Sequence, residues 1–330
     1  MTMPTPMFLL PAIAFSLSLL ILFALLKSGV ARRLALDQPN QRSLHALPIP
    51  RVGGIAIVAA VLVSWSLQPG SALLLALPTA VLALVSAVDD RIGLPAALRL
   101  AVHGLAALAL VSDVGAGDPW LVAGLIAGLV WMTNLYNFMD GSDGLAGGMA
   151  LFGFSAYAAA AHTVPLGAMS LATGAAAAGF LVFNFPPAKV FMGDVGSIPL
   201  GFLAASLGLL GWRQGLWPLW FPLLVFSPFA VDASVTLLRR LAGGERVWQA
   251  HREHYYQRLI RMGWGHRRTA LAGYALMAAA AGSALAGRSA APAVQALLLA
   301  LWCAVYLGLM AAVDRRWRRF VQTSGEGSRG

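Results

Sequence analysis

The chain of 330 residues is 59% hydrophobic and 11% charged, with a mean hydropathy of +0.74 and a formal net charge of +10. Charge this sparse excludes an ordinary soluble domain, in which about a quarter of residues are charged. The basic excess sits between apolar runs, so it reads as membrane topology, and no nucleic acid partner is expected.

Eleven apolar runs follow one another, at about 7–27, 52–68, 71–88, 94–112, 119–137, 144–162, 165–185, 195–212, 216–238, 268–287 and 291–313. A helix of about 20 residues crosses a hydrocarbon core of roughly 30 Å. The runs lack the in–out alternation of a barrel, and backbone groups in lipid must pair within their own segment, which leaves helices. The expected fold is all-α: a polytopic integral membrane protein of about eleven transmembrane helices, held in a lipid bilayer. Residues 1–322 are expected to form a single membrane domain, and residues 323–330 a disordered tail.

Local features qualify this outline. The first run has no basic stretch before it and no small-x-small cleavage site, so it should stay as a spanning helix. Pro218, Pro222 and Pro228 should bend or break the ninth. Cys303 is alone in the last run, where a small buried side chain is expected. His103 and His162 read as packing or capping residues and His266 as interfacial. The basic, aromatic stretch 314–319 reads as an anchor to anionic lipid.

With eleven alternating spans, the connections at about 28–51, 89–94, 138–144, 186–195 and 239–268 share one side with the C-terminal tail. That side carries all of the 23 Lys and Arg except Arg213 and Arg288, and all of the 13 acids except Asp113 and Asp118. The positive-inside rule makes it cytoplasmic and places the N-terminus outside.

Three acidic clusters fall on that side: Asp89-Asp90, Asp140 with Asp143, and Asp194 in Phe191-Met192-Gly193-Asp194. Carboxylates at the ends of spanning segments imply something for them to bind. Each Gly-Asp turn alone is equally a helix cap, but their convergence favours one active site on the cytoplasmic face. Carboxylates and carboxamides suit a hard cation, magnesium first, with manganese as its substitute. The Cys and His spacing of a zinc site is missing. Gly141, Gly144, Gly193 and Gly196 permit turns whose N–H groups meet an anion. Arg42, Arg51, Arg91, Arg99, Lys189, Arg252 and Arg258 surround the same surface, some as topology signals and some as phosphate partners. His251 and His254 share a face if that stretch is helical. These parts suit phosphoryl transfer between a lipid phosphate and a soluble diphosphate.

The motifs in order give a resemblance. Asp37-Gln-Pro-Asn-Gln-Arg-Ser-Leu-His45 with Pro48-Ile-Pro-Arg-Val-Gly-Gly54, then Asp89-Asp90, then Asn134-x-x-Asn137-x-x-Asp140-Gly-x-Asp143-Gly, then the stretch 184–201, resemble the polyprenyl-phosphate N-acetylhexosamine-1-phosphate transferases over about residues 37–258. The resemblance implies an enzyme of glycosyltransferase family 4 in a bacterial inner membrane. It would move N-acetylhexosamine-1-phosphate from a UDP-N-acetylhexosamine to undecaprenyl phosphate and release UMP. It further implies catalytic roles for Asp89, Asp90, Asp140 and Asp143, and a metal ligand in Asp194. The nucleotide sugar would meet Asn134, Asn137, Asn184, Phe191, His251, Arg252 and His254, with Phe191 stacked on uracil. The lipid phosphate would meet Arg42, His45, Arg51 and Arg99. Asp232 would orient an arginine or the sugar. A phosphate monoester with a second pKa near about 6 needs no base, which favours positioning for Asp89-Asp90 and leaves base and nucleophile open.

The chain departs from the related peptidoglycan translocase, whose late loop holds three successive histidines. Here the stretch is His251-Arg-Glu-His-Tyr-Tyr-Gln-Arg258, which points to the branch starting O-antigen or similar glycans. A transporter or flippase of lipid-linked sugars would place its acids near mid-membrane. A CDP-alcohol phosphotransferase would need an arginine after Ala146-Gly147 and a later aspartate pair. A homodimer is compatible with the sequence and not required by it.

Overall fold

The structure is a computed structural model that describes residues 9–39, 44, 47–68, 73–114, 118–162, 165–246, 249 and 251–324. The helices are α1 (Leu9–Lys27), the short α2 (Val30–Leu34), α3 (Gly53–Ser66), α4 (Leu73–Ile92), α5 (Ala96–Val114), α6 (Pro119–Phe138), α7 (Leu145–Ala160) and α8 (Pro165–Asn184). Then come α9 (Asp194–Arg213), α10 (Trp220–Val225), α11 (Ser227–Ala242), α12 (Tyr255–Leu259), a π-helical turn (Ile260–Trp264), α13 (Gly265–Gly287) and α14 (Pro292–Ser324). The one described sheet is a two-residue antiparallel pair, β1 (Leu36–Asp37) with β2 (Ile49–Pro50).

The chain is an all-α polytopic membrane protein. Among the described residues eight helices are long and apolar enough to cross a membrane, and α3 and α7 are shorter apolar helices. At 14 and 16 residues, these two rise only about 21 and 24 Å. Both start directly behind a site turn, at Gly53 and Leu145. The ninth expected run is broken, with α10 ending at Val225 and α11 starting at Ser227 with Pro228 in its first turn. A proline there needs no N–H partner, so the break satisfies it.

α9 is the most enclosed of the long helices and packs on α3, α4, α6 and α7. Small residues permit this. A Cβ on Gly54 would lie 2.2 Å from the Gly196 nitrogen, so only glycine lets α3 and α9 touch backbone to backbone. Next to this contact, Gly53 and Gly54 donate N–H groups to the carbonyls of Phe191 and Met192 (2.9 and 2.8 Å), and Phe191 N–H donates to Pro50 (2.8 Å). The 50–54 segment is thereby fastened to the 191–192 segment.

Two sequence expectations change. Cys303 is exposed on α14, the least enclosed of the long helices, and is not a buried side chain. α14 continues to Ser324, so residues 323 and 324 are helical, while 325–330 lie outside the described residues. The 314–319 stretch also has partners within the protein. Asp314 accepts from Arg239 (2.7 Å) and Arg258 (2.9 Å), and Trp317 lies under the guanidinium groups of Arg258 and Arg261.

Candidate active site

A cavity of about 370 Å³ opens where the ends of α6 and α8 meet the starts of α7, α9, α12 and α13. Arg51, Asn137, Asp140, Asp143, Phe191 and Asp194 line it, with Asn184 behind them. The Asp140 turn and the Asp194 turn are linked through backbone and amide groups. Gly193 N–H donates to the Asp140 carboxylate. Asn137 donates to Asp194, and its Oδ1 accepts from Ser197 Oγ (2.7 Å), which fixes the direction of the amide. Burial, and then the Asp194 charge, hold the Asp140 carboxyl well above the usual carboxylate range, against Arg51 and the Gly193 N–H.

Asp143 is tied down differently. Its Oδ2 accepts from Ala188 N–H (3.0 Å), and its own N–H donates to His266 Nδ1 (3.3 Å). His266 Nδ1 also takes Ser142 Oγ at 3.0 Å, and its Nε2 lies 3.1 Å from the Leu44 carbonyl. The acceptor role of Nδ1 toward a backbone N–H puts the ring proton on Nε2. His266 therefore fastens residue 44 to the 142–143 turn. Asn184 is a bracket as well: Oδ1 accepts from Gly144 (2.8 Å) and Nδ2 donates to Val190 (2.9 Å).

The aspartate pair stands at the edge of this cavity. Arg51 Nη2 donates to Asp90 Oδ1 at 2.7 Å. Asp89 takes Arg99 at 2.8 Å and the Leu94 N–H at 2.6 Å, closing the turn between α4 and α5.

Several expected residues sit elsewhere. Asn134 does not line the cavity; its Nδ2 donates to Val130 (2.7 Å) and lies 3.3 Å from His103 Nδ1 on α5. Arg99 is spent on Asp89. His251, Arg252 and His254 do not line the cavity either. His254 is buried, stacked between Phe138 and Tyr256. Burial, with His254 and Arg240 adding, pushes the His251 imidazole down to about 4, and its Nδ1 faces the Glu253 N–H (3.4 Å). Arg42 and His45 lie outside the described residues. Asp232 pairs with no arginine among the described residues and does not line the cavity.

Lining residues without an expected site role include Asp37, Ser142, Tyr256, Gln257 and His266. Tyr256 and Gln257 stand two and three residues after His254, so a helical reading of that stretch could have found them. His266 looks interfacial because it starts an apolar helix; the kink at Gly263 and Gly265, both with positive φ, precedes it, and its ring lines the cavity.

The chain is similar to known proteins. The sequence model of Glycosyl transferase family 4 matches residues 72–211. A probable undecaprenyl-phosphate N-acetylglucosaminyl 1-phosphate transferase of Bacillus subtilis (strain 168) is 30% identical over 281 residues, 78% of each chain. The undecaprenyl-phosphate alpha-N-acetylglucosaminyl 1-phosphate transferase of Yersinia pestis is 29% identical over 346 residues, 91% of this chain and 92% of its own. A phospho-N-acetylmuramoyl-pentapeptide-transferase of Moorella thermoacetica is 37% identical over 169 residues, half of each chain. Aspartate turns gathered at one end of the helices, and similarity to the Bacillus enzyme along most of both sequences, lead to one assignment: the chain belongs to glycosyl transferase family 4.

Proposed function

We propose that this protein transfers N-acetylhexosamine-1-phosphate from a UDP-sugar to a polyprenyl phosphate at the cytoplasmic face of a bacterial inner membrane, releasing UMP. The observation that carries this reading is the pair of recessed carboxylates, Asp140 and Asp194, beside Arg51 and Phe191 in one polar cavity. The names of the relatives support N-acetylglucosamine as the sugar and undecaprenyl phosphate as the acceptor. The distribution of Lys and Arg supports an external N-terminus and a cytoplasmic C-terminus. The late-loop sequence supports a product that starts O-antigen or a related envelope glycan.

The donor set suits a hard divalent ion. Among the described residues no three His, Cys, Asp or Glu side chains form a ready-made metal centre. Two carboxylates without a paired cation are what magnesium takes when phosphates and water complete its shell. Asp194 and Asp140 would hold it, and there it would offset charge on the diphosphate.

In the reaction an oxygen of the lipid phosphate attacks the β-phosphorus of the UDP-sugar. The new P–O bond joins the two phosphates, the α–β bridge breaks, and its oxygen leaves with UMP. The anomeric C–O bond survives. Arg51 faces the developing charge, and Asp90 aims it. Asp89 holds Arg99 and the Leu94 N–H and so shapes the turn; both aspartates are engaged, which supports positioning over base catalysis. Phe191 offers a face for the base and Asn137 steadies Asp194.

The test is purified protein with undecaprenyl phosphate, magnesium and a panel of UDP-N-acetylsugars, followed by mass spectrometry. UMP and a lipid diphosphate sugar in equal amounts are expected. No lipid product from any sugar would overturn the reading. Stoichiometric UMP from enzyme and UDP-sugar before lipid is added would replace direct attack with a covalent route.

A further inference from the structure

We infer that Asp232 is a positioning residue that seats α12 and so sets the Tyr256–Gln257 wall of the cavity, where the sugar of the nucleotide sugar is selected. The selection half rests on the transferase reading above; the seating half stands on geometry alone.

Asp232 lies on α11, and its side chain is only 10% exposed. A carboxylate removed from water needs donors to fill it. No lysine or arginine supplies them among the described residues. The start of α12 does. Oδ1 accepts from Tyr255 N–H (2.9 Å) and Oδ2 from Tyr256 N–H (3.0 Å), with Thr236 Oγ1 at 3.2 Å and His254 Nδ1 at 3.3 Å on Oδ1. The first N–H groups of a helix lack partners inside it, and a carboxylate that accepts from them makes charge-assisted hydrogen bonds. A local cap is present too, since His254 N–H donates to Gln257 Oε1 (3.2 Å). That cap fixes the shape of α12. Asp232, reaching from another helix, fixes its place.

The two residues so placed form one wall of the cavity. Tyr256 hydroxyl donates to the Phe138 carbonyl (3.2 Å) and accepts from the Gln257 amide. It also lies against Gly141, where a Cβ would come within 2.3 Å of the phenol oxygen. The chain of contact therefore runs from Asp232 through two backbone N–H groups to Tyr256, and from there to the turn that carries Asp140. A phenol oxygen and a carboxamide on one wall match the hydroxyl and acetamido groups of an N-acetylhexosamine. Asp232 itself stays outside the cavity, so it acts through α12 and not on the reacting atoms.

Asp232→Asn in the full chain tests this. The amide keeps one acceptor and turns an NH2 toward the other backbone N–H. Expected is a rise of about 10-fold or more in KM for UDP-N-acetylglucosamine, with KM for undecaprenyl phosphate within about twofold of the parent. Discrimination against UDP-N-acetylgalactosamine should weaken. Amide hydrogen exchange at 255 and 256 should quicken by about 10-fold or more. In a Gln257→Ala background the effect on KM should shrink, because both changes act on the same wall. Both Michaelis constants moving together, or unchanged exchange at 255 and 256, would overturn the inference. If the parent protein turns over no sugar nucleotide, the transferase reading fails, and the exchange rates still decide the seating. If Asp232→Asn does not fold, the isosteric Thr236→Val removes one donor from Oδ1 and should speed the same two amides by a smaller factor; no change there also overturns it.

Discussion

The two sides of the acidic cavity meet their charge in different ways. At the end of α4, Asp89 and Asp90 are adjacent and each rests on its own arginine, Arg99 and Arg51, at 2.8 and 2.7 Å. In the cavity lining, Asp140 and Asp194 make no ion pair among the described residues and are steadied by an N–H of Gly193 and the amide of Asn137. Carboxylates in direct ion pairs place arginines; carboxylates that Arg51 reaches only at longer range leave room for a cation. Two neighbouring aspartates in a sequence are therefore not by themselves the metal-binding pair, and two that lie 54 positions apart are the better candidates.

This contrast can be broken by measurement. Asp194→Asn should cost the most, at least about 100-fold in kcat, as removal of a transition-state electrostatic group does; turnover within a few-fold of the parent would end its metal role. Asp90→Asn should cost less, about 10-fold, and Arg51→Lys should cost a similar factor because lysine loses the forked geometry. Asp89→Asn should cost less than Asp90→Asn, since Arg99 does not line the cavity, and the reverse order in steady-state rates would exchange their roles. Phe191→Leu should raise KM for the UDP-sugar by about 2- to 10-fold through lost stacking, with kcat nearly kept; equal affinity measured by titration would reject the stacking.

Metal addition gives the smallest and most direct readout. Magnesium should raise the melting temperature of the purified protein by about 2–4 °C per kcal/mol of binding, and Asp194→Asn should abolish the shift while Asp89→Asn preserves it. Equal shifts in both variants would erase the distinction between the two sides.

The histidines of the late loop extend the lesson to pH. His251 is held down to about 4, below its unfolded value near about 6.5. Its folded form therefore resists protonation, and the stability it contributes is full at neutral pH and is lost as pH falls from about 6.5 toward 4. His251→Asn should flatten that decline in a thermal melt, and an unchanged slope would show that the imidazole is not buried.

Much of this was legible before any fold was known. The apolar runs became helices, the prolines of the ninth marked the break, and the turns at Asp140 and Asp194 converged with Arg51 and Phe191. Asn134 shows where such reading stops. It is three residues from Asn137, close enough in angle to share a helix face, yet it turns toward His103 on α5 while Asn137 meets Asp194. Cys303 shows the same limit, because an apolar segment does not say which of its faces meets lipid and which meets protein.

Sequence alone determined the helices, their approximate ends and the chemical character of the site. In a bilayer the length and hydropathy of a segment decide whether it is a helix, and those are local quantities. Tertiary structure alone decided which arginine neutralises which aspartate, how His266 and Tyr256 enter the cavity, and that Asp232 holds two N–H groups in place of a cation. Those outcomes depend on how each helix is rotated against its neighbours, and that is set by close contacts such as Gly54 on Gly196 between residues far apart in the chain.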